Sequence, residues 1–293
     1  MILLRFLTLA AAAVWLLAGY LAGIVALPLE TFHGSFEEER IMESLEVEEV
    51  PLSAVRITVV YDNTSFLEGL RSDWGFSCVI EGLEKRILFD TGADGELLVD
   101  NITRLAGGPG EIEAVFLSHR HWDHVDGLER LLVTIPDAEV FLTESFPENV
   151  RRTVTDRGAA IREVRGPVEV CPGAYSTGEM SGDPEEQSLM IVTDRGVLVV
   201  TGCSHPGISS IIRRAGEITG REILLVMGGF HLRRRSEEEV MAIIRDFREK
   251  GVRFVGPCHC TGEDQIGMFS RAYGEDCLEM GVGRVITGDV LEH

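Results

Sequence analysis

The sequence predicts an α/β domain with two β-sheets covered by helices, and three observations carry that expectation. Strand-like runs come first, at residues 55–61, 76–80 and 86–89. Helical and strand patterns then alternate. Between them, residues 189–193 and 197–201 flank the turn Asp194-Arg195-Gly196 and read as a hairpin.

Taken in order, the short apolar run 114–117 leads into a histidine-rich segment. Further on, Ser236 and Glu239 form a capping box ahead of Val240, Ile243, Ile244 and Phe247, which share one helical face. That helix leads into the strand-like Phe254-Val255. The folded domain is expected over residues 54–293. Residues 30–53 form an acidic linker containing Glu30, Glu37, Glu38, Glu39, Glu43, Glu46, Glu48 and Glu49, where like charges repel and keep the chain extended or juxtamembrane-helical.

Ahead of the linker, residues 6–29 carry no formal charge, and those 24 residues as a helix would span roughly 36 Å. A single N-terminal transmembrane helix is therefore expected. A cleaved secretory signal, leaving a secreted domain, and a buried soluble helix are the alternatives. Arg5 and the amino terminus precede the run, which by the positive-inside rule keeps that end cytoplasmic and sets the domain outside.

A net charge of −21 excludes broad binding to nucleic acid or anionic membranes, because contact with phosphates needs a basic surface. The expected partner is a small molecule. An anionic one must be attracted locally, by metal or clustered arginines. Six cysteines in 293 residues make no disulfide scaffold, and Cys258-His259-Cys260 reads as metal-site surroundings.

The chemistry is concentrated in His119-x-His121-x-Asp123-His124, where three of the eight histidines fall within six residues at the mouth of a strand. On extended backbone, residues two apart project to one side, so His119 and His121 can grip one ion. Asp123 and His124, further round the turn, can face a second. Imidazole and carboxylate ligands suit Zn²⁺, with Fe and Mn as alternatives. A surface loop that merely happens to be histidine-rich is the bland alternative.

With this motif the chain resembles the metallo-β-lactamase superfamily, from about Val55 to the C-terminus. Phe89-Asp90-Thr91-Gly92, Thr201-Gly202-Cys203-Ser204-His205-Pro206-Gly207, Gly228-Gly229-Phe230-His231-Leu232 and Pro257-Cys258-His259-Cys260-Thr261-Gly262 follow in the family's order. Together they are similar to the class II metal-dependent hydrolases, a group that includes dihydropterin-ribofuranosylaminobenzene-phosphate synthases of methanopterin biosynthesis. The resemblance implies an αββα four-layer sandwich and a dinuclear site.

Asp90, at a strand end, can accept a hydrogen bond from a ligating imidazole and fix its tautomer, a role the resemblance also implies; a plain turn aspartate is the alternative. Cys203 and His205 stand two apart after the 197–201 strand. Many superfamily members carry a bridging aspartate there, so this chain departs from the pattern, and Cys203 is either a ligand that favours zinc or an inert buried thiol. His205 is expected to be a ligand. So is His259, where the superfamily places its last metal histidine.

On an extended segment Cys258 and Cys260 would face away from the metals. His231 is a candidate substrate contact, proton donor or further ligand, or else a loop histidine without function. Arg233, Arg234 and Arg235 precede a helix N-terminus, where cations oppose the dipole unless an anion sits nearby, so they are candidate phosphate contacts, with a solvated patch as the alternative. Asp62, Asn63 and Trp122 are weaker candidates for pocket lining, and Trp122 alternatively just packs.

The expected function is metal-dependent hydrolysis of a phosphoryl or acyl centre, two divalent cations making water acidic enough to attack near neutral pH. Asp123, Asp90 and His231 are the candidate catalytic groups. Arg233, Arg234, Arg235 and Asn63 are the candidate substrate contacts. Two alternatives stand beside it: a pterin-type transferase releasing pyrophosphate, and a membrane-tethered metal-binding module without turnover.

Overall fold

The structure is a computed structural model that describes residues 46–292. The expected membrane span and most of the acidic linker lie outside the described residues. Among the described residues, no helix is long and apolar enough to cross a membrane.

Two sheets form the centre. Strands β1 (Arg56–Tyr61), β2 (Ser77–Glu81), β3 (Ile87–Phe89), β4 (Ala114–Phe116), β5 (Glu139–Thr143) and β6 (Ala160–Val164), with β13 (Val285–Thr287), make a seven-stranded sheet in the order β13-β1-β2-β3-β4-β5-β6. The second sheet has six strands in the order β12-β11-β10-β9-β8-β7: β7 (Val168–Cys171), β8 (Ala174–Ser176), β9 (Leu189–Thr193), β10 (Gly196–Thr201), β11 (Ile223–Gly229) and β12 (Phe254–Cys258). The expected hairpin is β9–β10, paired antiparallel from Gly196↔Thr193 to Val200↔Leu189.

Both faces of the central strands are buried, and alternation divides the side chains between layers. Leu198 and Val200 of β10 meet Ile57, Val59, Phe89 and Phe116 of the other sheet in the inter-sheet core, whereas Val197 and Val199 point outward. Helices cover each outer face. On the seven-stranded sheet these are α1 (Gly95–Ala106), α3 (Leu128–Leu132) and α4 (Glu148–Asp156), through Leu98, Ile102, Leu131 and Val154; the short α2 (Trp122–Val125) carries Asp123 and His124. On the six-stranded sheet, α5 (Ile208–Thr219), α6 (Glu237–Glu249) and α7 (Glu263–Tyr273) bring Ile211, Ile244, Phe247 and Phe269. Each such buried side chain contributes about 1.5–3 kcal/mol, so the result is the expected αββα sandwich with one apolar layer between the sheets and one beneath each helical face.

Strand direction then fixes the site. β3 and β4 run parallel, as do β10, β11 and β12, and β1 runs with β3 because both pair antiparallel with β2. Their carboxyl ends lie at one edge of the sandwich and emit the segments holding Asp62, Asp90, His119, Cys203, His231 and His259.

Candidate metal centre

Four non-glycine residues among those described have positive φ: Asp90 at 53°, Ser204 at 62°, His231 at 53° and His259 at 49°. All four follow these strand ends, and such strain persists only where the surroundings over-determine the backbone. Gly202 shows why the fit is tight. A Cβ there would lie 2.1 Å from Ser118 Oγ and 3.1 Å from Asp90 Oδ2.

The turns bring the histidines together. Ligand atoms of His119, His121 and His205 lie within 4.8 Å of one another, and so do those of Asp123, His124 and His259. Cys203 lies between, within the same reach of His119 and His124, of His205 and His231, and of His259 and Cys260.

Hydrogen bonds settle which imidazole nitrogens are bare. Asp90 Oδ2 accepts from Ser118 Oγ and from His124 Nδ1, each at 2.7 Å, leaving His124 Nε2 without a proton when the ring is neutral. Ser118 Oγ, having donated to Asp90, accepts from His119 Nδ1 at 2.9 Å, so His119 Nε2 is bare as well. At the far side Asn63 Oδ1 accepts from Gly75 N at 3.1 Å and from His259 Nδ1 at 3.0 Å, while Asn63 Nδ2 donates to the His259 carbonyl at 2.9 Å. That network leaves His259 Nε2 bare too when the ring is neutral, with Asp123 Oδ2 3.3 Å away to receive its proton when it is charged.

Two lone pairs thus face each other, His124 Nε2 and His259 Nε2 at 3.2 Å, with Cys203 Sγ 3.3 Å from the former. Such an arrangement is repulsive unless a proton or metal cation lies between the nitrogens. His205 Nε2 is buried with no hydrogen-bond partner, a cost of about 1–3 kcal/mol that a cation would remove. On both counts the donor set fits divalent metal.

Titration follows the same geometry. Burial opposes a proton on His124, but Asp90 outweighs it and raises the imidazole from 6.5 to about 9, so a proton occupies the cation's place in the metal-free chain. Burial and the neighbouring His231 and His121 push His205 down to about 3. Burial likewise lowers His119. Asp123 is disfavoured as a carboxylate by burial, yet its contact with His259 and the charge of His124 win and hold it below the usual carboxylate range.

Several expectations change. Cys260 does not face away: the left-handed turn at His259 breaks strand alternation and brings its thiol toward Cys203 and His259, whereas Cys258 stays in the inter-sheet core as expected. Asn63 serves His259 with both ends of its amide rather than standing free for substrate. Asp62, buried, accepts from the amides of Asn63 and His259, and burial raises it to about 6.

The arginine triplet splits. Its charge at the helix N-terminus is already offset by Glu237, Glu238 and Glu239, by the Ser236–Glu239 capping box and by the Arg235–Glu239 pair at 2.9 Å. Arg234 is exposed. Arg233 alone lies over the Trp74 ring, 5.7 Å from its centroid, and both line a cavity of about 630 Å³ that reaches His259. Trp122 is 54 % exposed at the start of α2 and does not pack inward. His231 is exposed, and its ring lies 4.6 Å from that of His205.

Glu186 escaped sequence reasoning. It is fully buried, and its carboxylate meets the backbone of residues 202–205. The one available signal was a carboxylate at the entrance to an apolar strand, too common to single out.

The comparisons agree with this geometry. Residues 75–217 match the metallo-beta-lactamase superfamily. A Methanocaldococcus jannaschii protein named 7,8-dihydropterin-6-methyl-4-(beta-D-ribofuranosyl)-aminobenzene-5'-phosphate synthase is 27% identical over 278 residues, covering 78% of this chain and 95% of that protein. A crystal structure of a metal-dependent hydrolase of the beta-lactamase superfamily superimposes with a TM-score of 0.67 at 27% identity, over 79% of this chain and 98% of the other. A metallo-beta-lactamase fold protein from Bacillus subtilis shares the fold at TM-score 0.62 and 12% identity, over 79% and 99% of the two chains. By motif, ligand geometry and fold, residues 75–217 match the metallo-β-lactamase superfamily, and the chain is similar to the named relatives over most of its length.

Proposed function

We propose that the protein is a dinuclear metal-dependent hydrolase acting on a phosphoryl or acyl centre of a phosphate-bearing small molecule. The observation that carries this reading is the pair of bare nitrogens on His124 and His259, 3.2 Å apart and locked from behind by Asp90 and Asn63. His119, His121 and His205 would hold one divalent ion, and Asp123, His124 and His259 the other, with Cys203 between them. A thiolate at that position favours zinc.

Bound cations would supply Lewis acidity and lower the pKa of water toward 7. Around them, the chain's own groups have separable tasks. Asp90 and Asn63 hold the imidazoles in one tautomer. His231 stands at the rim beside Cys260, whose hydrogen bond outweighs burial and raises the imidazole's pKa, a direction that suits a proton donor to a leaving group. Arg233 and the Trp74 face would hold the remote part of the substrate, a phosphate lying at the Arg233 end because Glu263, Asp264 and Glu279 line the same cavity and repel it elsewhere. The apolar run at residues 6–29 supports anchoring this domain at a membrane, on its outer side by the positive-inside count.

The test is turnover of a panel of phosphomonoesters, phosphodiesters and lactones by metal-loaded and chelated protein. Activity should vanish with chelator and return with zinc or manganese; full activity without metal would refute the reading. Similarity to the named synthase supports a second reading, transfer with release of pyrophosphate. Pyrophosphate released only when an arylamine acceptor is present would favour it over hydrolysis.

A further inference from the structure

The loop 202–205 delivers Cys203 and His205 to the centre, yet it lies beyond the end of β10 and Ser204 sits at a φ of 62°. Something other than strand pairing must hold it. Glu186, three residues before β9, is completely buried, and its Oε1 accepts from the amides of Gly202 at 3.0 Å, Cys203 at 2.9 Å and Ser204 at 3.0 Å. Thr201 Oγ1 donates to the same oxygen at 3.1 Å, and the amide of His205 donates to Oε2 at 2.7 Å. Four successive amides around one carboxylate make an anion nest, and here the anion is built into the chain. A buried carboxylate is costly without partners, and burial raises this one above its ordinary pKa while the backbone donors oppose that rise.

Its neighbour completes the picture. Gln187 donates from its backbone to the Ser118 carbonyl at 3.0 Å and from Nε2 to the Leu117 carbonyl at 2.9 Å, immediately before His119. Residues 186 and 187 therefore tie the Cys203–His205 loop to the segment that opens the histidine motif.

We propose that Glu186 is the positioning residue that sets the Cys203–His205 loop, and through it the ion held by His119, His121 and His205, while leaving the ion held by Asp123, His124 and His259 largely to Asp90 and Asn63. This rests on reading the imidazoles as metal ligands. Outer groups that orient ligands typically change metal affinity by about 10- to 100-fold. In Glu186→Gln, Oε1 keeps its acceptor role, but the amide NH₂ now faces the His205 N–H and repels it.

The test pairs calorimetric titration of zinc into metal-free protein with hydrogen exchange of the amides of residues 202–205, for wild type, Glu186→Gln and Glu185→Gln. Glu185, which pairs on the surface with Arg120, is the control. Expected are two zinc equivalents in wild type and in the control, one of them weakened about 10- to 100-fold in Glu186→Gln, and faster exchange at 202–205 in that variant alone. Unchanged affinities with unchanged protection would overturn the proposal. If wild type binds no zinc, the dinuclear reading fails, and the exchange result still decides whether Glu186 holds the loop. Should Glu186→Gln not fold, Glu186→Asp keeps the charge but shortens its reach and is judged by the same two readouts.

Discussion

The two ligand clusters differ in how much of each is built before a cation arrives. Asp123, His124 and His259 are all buried, and each imidazole is fixed from behind by a group that accepts its Nδ1 proton. In the other cluster His119 is buried and held through Ser118, but His121 is exposed and His205 is half-buried on a loop. Preorganisation lowers the cost of binding. The inner position should therefore bind first and tightly, and the outer one should exchange more readily and meet substrate.

The strongest way to break that contrast is Gly202→Ala. Its methyl group would collide with Ser118 Oγ and crowd Asp90, which serve both clusters, so both should lose metal and stability should fall by about 1–3 kcal/mol; metal content and thermal unfolding check this. Asp90→Asn comes next. Losing the acceptor for His124 directly, and for His119 through Ser118, should weaken both ions by about 10- to 100-fold in a zinc titration.

Asn63→Ala sharpens the contrast because His259 is the one imidazole its amide touches. The inner ion alone should weaken, by about 10-fold, with the outer ion unchanged. Equal weakening of both would show that the clusters are not independent.

A further prediction concerns pH dependence. In metal-free protein the His124 pKa rises from 6.5 unfolded to about 9 folded, so its stabilising contribution is complete below pH 6.5 and is lost as pH climbs through about 9. The melting temperature of metal-free protein should decline across that window. Loaded protein, whose His124 holds a cation other than a proton, should not share this decline.

The sandwich and the clustering of the first candidate ligands were legible in the chain because they rest on local signals. Apolar runs on either side of the Asp194-Arg195-Gly196 turn mark β9 and β10, the capping box marks α6, and close spacing gathers His119, His121, Asp123 and His124. What stayed hidden depends on single backbone angles or on distant contacts. Cys260 was misassigned because a left-handed His259 reverses the direction an extended strand would give. That Arg233 alone of the triplet lies over Trp74 at the cavity, while Arg235 pairs with Glu239, depends on such tertiary placement. Glu186 acts on backbone amides about 16 to 19 residues away, and amides carry no sequence signature.

The most direct test is the metal content of purified wild type and His121→Ala after removal of loosely held ions, measured by elemental analysis. Two ions per chain in wild type and one in the variant, the survivor being lost on further substitution of His124, is the predicted result. Absence of bound metal in wild type, or two ions retained without His121, would contradict the account.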